Sequence, residues 1–354
     1  MPAAFAAPPP VAFAGLDIVV LLPCFNEEAT IASVVRGFQA ALPGARIVVF
    51  DNNSTDRTAS EACLAGAEVY REPRQGKGNV VRRMFADLDA DLYVMADGDG
   101  TYDPADAVAL VQALMSERAD MAVGTRRDVT IDAGRAGHAA GNRLFNSLYQ
   151  FLFGADFSDI FSGYRVFTRR FVKSFPAVST GFEIETEMSV HASQLRIPTV
   201  ELPLAYGRRV AGSPSKLRTY RDGFRILMMF MMLTKETRPS LFYGVLAGLS
   251  ALLAVVLAEP VFATYLATGL VPRLPTAVLS TGLMIIAALL GAVGLILDSL
   301  ARSRVEHKRV LYLSIPPLRR GAGDATAPTA AIEALRELAR LAATPAPRRT
   351  GSEG

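Results

Sequence analysis

Asp97 and Asp99 stand one residue apart in the stretch Ala96-Asp97-Gly98-Asp99-Gly100. Residues 92–96 are almost wholly apolar and of strand length, which predicts a buried strand ending at the acidic pair. Two carboxylates on a glycine-loosened turn can aim at one point beyond the strand end. Like charges held that close repel, so a positive group belongs between them. Hard oxygen ligands of this kind favour Mg2+ or Mn2+, and such an ion is often shared with substrate phosphates. The plainer alternative is an acidic surface turn, because Asp-Gly pairs are common in turns. Asp103-Pro104 predicts the start of the next helix, with Asp103 as N-cap and Pro104 in the first helical position.

Apolar runs and breakers define the elements that must position this turn. Residues 17–22 predict a first buried strand, stopped by Pro23. Asn26 then reads as an N-cap, with Glu27 and Glu28 favouring the helix start. Residues 46–50 predict a second strand that ends in the polar cluster 51–56, and 68–70 predict a third. Gly76-Lys77-Gly78 precedes a helix expected from residue 79. Further strands are expected at 119–124 and 199–204, and one is fed by the polar turn Ser162-Gly163-Tyr164-Arg165. Residues 142–153 read as an amphipathic helix, and another helix opens near 181–185. Strands and helices alternating at this spacing predict an α/β domain with a mostly parallel sheet. Ligands of such sheets bind at the carboxyl ends of the strands, where 23–27, 51–56 and 97–103 are all polar. A dinucleotide dehydrogenase would carry Gly-x-Gly-x-x-Gly after the first strand. Pro-Cys-Phe-Asn-Glu-Glu stands there instead, which disfavours hydride chemistry.

The chain has 354 residues, of which 51% are hydrophobic and 20% charged. Charge is therefore segregated along it. A net charge of +3 does not argue for nucleic acid. Cys24 and Cys63, the only cysteines, are expected on core elements and suggest no disulfide framework. Residues 1–15 are rich in Ala and Pro and predict a flexible tail. Residues 220–233, Met-rich with interspersed arginines, suit a helix lying in a membrane interface; a Met-rich core helix is the alternative. Residues 241–258 and 277–297 are apolar runs near the length of ~18–20 residues that spans a bilayer. Lys235 and Arg238 precede the first run, and Arg302, Arg304, His307, Lys308 and Arg309 follow the second. Positive charge at both outer ends puts both on the cytoplasmic side. The predicted plan is a tail (1–15), a cytosolic α/β domain (16–218), an interfacial amphipathic helix (219–238), a two-helix transmembrane region (239–301) and a basic, partly disordered end (302–354). Basic segments at 126–135 and 208–218 point to an anionic substrate, or for the second to anionic lipid.

Five motifs in order resemble the family 2 glycosyltransferases of the GT-A fold. They are Pro23-x-x-Asn26-Glu27, Asp51-Asn-Asn-Ser-Thr-Asp56, Gly76-Lys77-Gly78, Asp97-Gly98-Asp99-Gly100-Thr101-Tyr102-x-Pro104 and Ser162-Gly163-Tyr164-Arg165. Within that family the chain is most similar to the polyprenyl-phosphate glycosyltransferases, including dolichol-phosphate mannose and glucose synthases and bacterial undecaprenyl-phosphate sugar transferases. The resemblance covers residues 16 to about 230. It implies a Rossmann-like nucleotide-diphospho-sugar domain and a hexosyltransferase at the cytoplasmic membrane. Its donor would be UDP- or GDP-linked, its acceptor a polyprenyl phosphate. It implies that Pro23, Asn26 and Glu27 lie along the nucleotide, that Asp51 bonds the base, and that Lys77 sits near the donor phosphates. Asp97, Gly98 and Asp99 take the place of the Asp-x-Asp motif, with Asp97 and Asp99 as metal ligands and Thr101 at the position of a third. Arg126 would bind acceptor phosphate, with Arg135 as a second candidate. Arg209, Ser213 and Lys216 resemble the basic segment that closes over the diphosphate. A homo-oligomer is compatible with the sequence, and nothing in it demands one.

A lipid phosphate is already an oxyanion at neutral pH, so this chemistry needs no strong general base. It needs two anions held together and a stabilised leaving group. One direct displacement would invert the anomeric carbon. Glu183 and Glu185 are the carboxylates a general-base reading would choose, but they read better as structural carboxylates. Processive polysaccharide synthases share the first motifs but resemble each other in a later Gln-x-x-Arg-Trp, and this chain has no Trp. A non-catalytic membrane scaffold with a retained fold is the remaining alternative, against which the acidic pair, Lys77 and the arginines argue.

Overall fold

The computed structural model describes residues 13, 15–126, 157–181, 183–205, 207, 228 and 231–318. Two compact units make up the chain, residues 1–216 with 311–354 and residues 217–310.

The first unit is built on a seven-stranded sheet of order β3-β2-β1-β4-β6-β5-β7. Its strands are β1 (Ile18–Cys24), β2 (Arg46–Asp51), β3 (Glu68–Arg71), β4 (Leu92–Met95), β5 (Met121–Arg126), β6 (Arg165–Thr168) and β7 (Thr199–Leu204). The β1–β2, β1–β4, β2–β3 and β5–β7 pairs are parallel, whereas β6 runs antiparallel to both β4 and β5. The helices are α1 (Ile31–Ala41), α2 (Thr58–Leu64), α3 (Lys77–Asp87), α4 (Asp106–Ser116), α5 (Arg169–Ser174) and α6 (Ile184–Leu195). Both sheet faces are covered, which is why the central strands are continuous apolar runs. Val20, Leu22, Val49 and Val94 face a core shared with Val35 and Phe38 of α1 and Leu110 and Val111 of α4. Tyr93 and Phe167 pack through Phe85 of α3 and Phe175 on the opposite face.

Local structure differs from the sequence reading in several places. β1 does not end before Pro23 but runs through it, with Pro23 opposite Phe50 of β2. Pairing with β4 has already stopped at Leu21, so the N–H that proline lacks is not demanded there. Asn26 is not an N-cap: it adopts the left-handed region (φ 54), and α1 begins only at Ile31. α3 starts at Lys77 itself, not at residue 79. Cys63 is exposed, because its side of the short α2 faces away from the sheet. Asp103 does cap its turn, its carboxylate accepting from Ala105 N at 2.9 Å, although regular helix is reached only at Asp106. The expected helix at 142–153 lies outside the described residues.

In the second unit, residues 231–237 are helical, and the remainder of the expected interfacial helix, apart from residues 228 and 238, lies outside the described residues. Two long helices follow, α7 (Pro239–Thr268) and α8 (Leu274–Ser314), both long and apolar enough to cross a membrane. They pair antiparallel. Ser240 Oγ donates to Asp298 Oδ1 at 2.9 Å, and Ser250 Oγ donates to the Leu283 carbonyl at 2.9 Å. Gly294 lets the helices approach, since a Cβ there would lie 3.1 Å from Tyr243 Cβ. Each helix outruns the apolar segment expected from sequence, and α8 carries Arg302, Arg304, His307, Lys308 and Arg309 on the same continuous helix. Large apolar side chains are bare on both, with Leu266 77% and Leu295 72% exposed, the surface a lipid phase would solvate.

One buried charge locks the sheet's antiparallel strand. Arg165 is fully buried, donating to the Ser162 carbonyl at 2.9 Å, the Ile160 carbonyl at 3.0 Å and Ser189 Oγ at 3.0 Å. Arg165→Ala would leave those acceptors without their donor and open a cavity. It is expected to cost about 3 kcal/mol and to lower the thermal midpoint of the detergent-solubilised protein by roughly 10 °C. An unchanged midpoint would contradict this reading.

Candidate active site

The carboxyl edge of the parallel strands gathers three polar loops and ties them to one another. After β1, Asn26 N donates to Ser54 Oγ at 2.9 Å and its Oδ1 accepts from Thr55 N at 2.8 Å. The left-handed backbone at Asn26 turns this amide across to the next loop. Glu27 N donates to Thr58 Oγ1 at 2.8 Å. After β2, Asp51 is buried and accepts from Ser54 N at 3.3 Å. Asn52 reaches the third loop, donating to the Glu72 and Arg74 carbonyls at 2.9 and 2.8 Å and accepting from Gly76 N at 2.7 Å. Asn52 thereby fixes the residue from which α3 starts.

The acidic turn joins this edge from β4. Thr30 Oγ1 donates to the Gly98 carbonyl at 2.8 Å. A side chain at Gly98 is excluded, as its Cβ would lie 2.5 Å from Cys24 Sγ. Asp99 is buried at 3% exposure, and its Oδ1 accepts from Thr101 N at 3.1 Å and Thr101 Oγ1 at 2.6 Å. Thr101 thus braces Asp99. Gly207 N donates to the Thr101 carbonyl at 2.9 Å. Tyr102 Oη accepts from Gly163 N at 3.1 Å and Tyr164 Oη donates to the Asp103 carbonyl at 3.2 Å, interlocking the acidic turn with the Ser-Gly-Tyr-Arg turn.

Lys77 gives Asp97 a cation from within the protein. Its ammonium lies 2.5 Å from Asp97 Oδ1 and 2.5 Å from Glu185 Oε1, and the side chain is only 9% exposed. Burial opposes its charge, but the two carboxylates outweigh burial and raise the ammonium above the ordinary lysine range. Burial pushes Glu185 up, with Lys77 offsetting part of that effect. A second pair stands at the end of β5. Arg126 grips Asp159 with Nε to Oδ2 and a terminal nitrogen to Oδ1, both at 2.8 Å. Burial works against the Asp159 charge, and the guanidinium overcomes it, holding the carboxyl below its usual range.

Among the residues singled out from sequence, Pro23, Asn26, Glu27, Asp51, Lys77, Asp97, Gly98, Asp99, Thr101 and Arg126 lie at the carboxyl ends of these strands or on the loops that follow them. Arg135, Arg209, Ser213 and Lys216 lie outside the described residues. Sequence reasoning missed Asn52, Asp159 and Gly163 as positioning groups, and the partner of Glu185, read from sequence as a structural carboxylate, is Lys77. Gly163 had a signal in its motif: a Cβ there would lie 2.7 Å from Asp97 Oδ2 and 3.2 Å from Lys77 Nζ. Gly163→Ala should therefore displace Asp97 and slow glycosyl transfer by about 100-fold while the thermal midpoint stays within a few degrees of wild type. Full activity in this variant would show that the Asp97 carboxylate needs no such clearance.

A family model described as Glycosyl transferase family 2 matches residues 19–175. Glycosyltransferase AglJ of Haloferax volcanii is 37% identical over 229 residues, which cover 64% of this chain and 75% of that protein. The dolichyl-phosphate hexose transferase of the same organism is 28% identical over 223 residues, 63% of this chain and 96% of the relative. Among solved structures, glucosyl-3-phosphoglycerate synthase from Mycobacterium tuberculosis, in complex with Mn2+, UDP and phosphoglyceric acid, is similar with a TM-score of 0.51. It is 25% identical and the match covers 62% of this chain and 80% of that one. The mixed sheet with its polar carboxyl edge is the GT-A-like architecture of these enzymes, and the chain belongs to glycosyl transferase family 2.

Proposed function

We propose that the protein moves a hexose from a UDP- or GDP-linked sugar onto a membrane polyprenyl phosphate, undecaprenyl or dolichyl, with inversion at the anomeric carbon. The observation that carries this reading is the presence in one chain of an acidic pair at the sheet's carboxyl edge and two apolar helices of membrane-crossing length. The name of the Haloferax hexose transferase supports a lipid-phosphate acceptor. Mn2+ and UDP in the Mycobacterium synthase support the donor and metal classes. Basic residues at the outer ends of α7 and α8 support a catalytic domain on the cytoplasmic face of the inner membrane.

Among the described residues, no group of three or more His, Cys, Asp or Glu side chains could hold a metal alone. Two carboxylates suit an Mg2+ or Mn2+ that completes its shell with diphosphate oxygens. Gly163 leaves open the space beside Asp97 Oδ2 that a Cβ would fill. The residues present fit such an ion, held by Asp97 and Asp99 with Thr101 bracing Asp99. When bound, it offsets the negative charge that gathers on the departing nucleoside diphosphate.

The chain's own groups then divide the remaining work. Asn26, Glu27 and Asp51, with Pro23 behind them, form the nucleotide wall, rigid because each loop is bonded to the next. Arg126 is presented by Asp159 in a fixed fork, a geometry suited to a phosphate dianion. Arg209, Ser213 and Lys216 are proposed to close over the diphosphate, and Arg135 to assist at the acceptor. The acceptor oxyanion attacks directly, so no side chain has to remove a proton from it.

Purified protein with radiolabelled nucleotide sugars and undecaprenyl or dolichyl phosphate tests this reading. Label should enter the organic phase as a lipid-linked monophosphate sugar, stop with EDTA and return with Mg2+ or Mn2+. Asp99→Ala should remove turnover and keep the fold. Failure of every donor to label either lipid, with folded protein, would overturn the proposal.

A further inference from the structure

We propose that Glu185 is a positioning residue for glycosyl transfer, acting through Lys77 on Asp97. This rests on the reading of Asp97 and Asp99 as the metal-holding pair. Glu185 sits in the first turn of α6, 4% exposed, with Oε1 2.5 Å from Lys77 Nζ and Oε2 buried without a hydrogen-bond partner. Lys77 spans from it to Asp97 Oδ1. Residues 177–180 clamp the two helices that carry this bridge. Arg82 of α3 donates to the carbonyls of Ala177, Val178 and Ser179. The Glu187 carboxylate of α6 accepts from Val178 N at 3.0 Å and Ser179 N at 2.8 Å. Gly76 and Gly78 admit the clamp, since a Cβ on either would lie 2.2 Å from a carbonyl oxygen of Thr180 or Ser179. The helix starts that carry Lys77 and Glu185 are therefore held together by bonds in which neither of those side chains takes part.

A neutral side chain would fill the space of Glu185. A second carboxylate does something a neutral group does not. With only Asp97 as partner, the ammonium would cancel the Asp97 charge and compete with any incoming cation. Shared with Glu185, it leaves one net negative charge over the three groups. Asp97 Oδ2, on the side kept clear by Gly163, then remains an attractive oxygen for a divalent ion. Glu185 thus holds Lys77 back without touching substrate.

Mn2+ binding in the presence of UDP, read by electron paramagnetic resonance, tests this on the full chain. Glu185→Gln keeps shape and an acceptor for Lys77. It is expected to weaken Mn2+ binding about tenfold with the thermal midpoint of the ligand-free protein unchanged. In a Lys77→Met background the same substitution should add no further loss. Equal Mn2+ affinity in wild type and Glu185→Gln would overturn the inference and leave the metal reading standing. A Glu185→Gln loss of the same size without Lys77 would also overturn it, because the effect would not pass through the ammonium. No Mn2+ binding by wild type would overturn the metal reading and this inference together. If Lys77→Met does not fold, the single variant decides: weakened Mn2+ binding at an unchanged midpoint supports the inference, and a fall in both overturns it.

Discussion

Burying Lys77 against Glu185 strips two charged groups of water, at several kcal/mol for each after relaxation, while Asp97 keeps about a third of its side chain in solvent. Contacts of 2.5 Å on both sides return that energy only while the geometry holds. Much of the surrounding structure serves this requirement. Asn52 pins Gly76, so that α3 begins with Lys77 in place. Residues 177–180 tie α3 to α6, and Gly163 lies against both Asp97 and Lys77 because any side chain would intrude. A buried ion pair is weak evidence for stability on its own. Its cost is understandable where a carboxylate must stay charged and aimed at a point in space.

The same economy extends along the carboxyl edge. Asn26, Asn52, Thr30 and Tyr102 each use their polar atoms on a neighbouring loop, and Asp51 braces its own. These loops carry little regular structure, yet they are hydrogen-bonded to one another. A nucleotide bound there would meet groups already oriented, which lowers the ordering cost of binding. Arg126 follows the same rule through Asp159. Fixed dipoles and charges of this kind are what a displacement between two anions requires, because little proton movement is involved.

The central strands were legible because β1, β2 and β4 are buried on both faces and their sequences are unbroken apolar runs. The antiparallel β6 was legible as a strand but not in direction, since pairing sense depends on where the chain returns. The turn that carries Asp97 and Asp99 was legible from the apolar run that precedes it, whereas spacing alone left a metal site and a surface turn equally open. Local propensity misled where a side chain served a distant loop: Asn26 has the composition of a helix cap, and its amide is committed to Thr55, 29 residues away. The resemblance places Lys77 near the donor phosphates, and its pairing with a residue of α6 lies beyond any sequence pattern. Glu183, Glu185 and Glu187 look alike in sequence. Only the packing of α6 against α3 decides that Glu185 meets Lys77 while Glu187 caps the 178–179 amides. Arg165 closes a motif with the composition of a polar turn, yet it is a fully buried cation.

The most direct measurement is the position of Mn2+ in crystals of the protein grown with UDP, located by anomalous scattering. A peak between the Asp97 and Asp99 carboxylates, on the Gly163 side of Asp97 and with Lys77 still bonded to Glu185, is the expected result. Mn2+ bound elsewhere, with Asp97 and Lys77 paired as before, would contradict the assignment of this edge as the metal- and diphosphate-holding site.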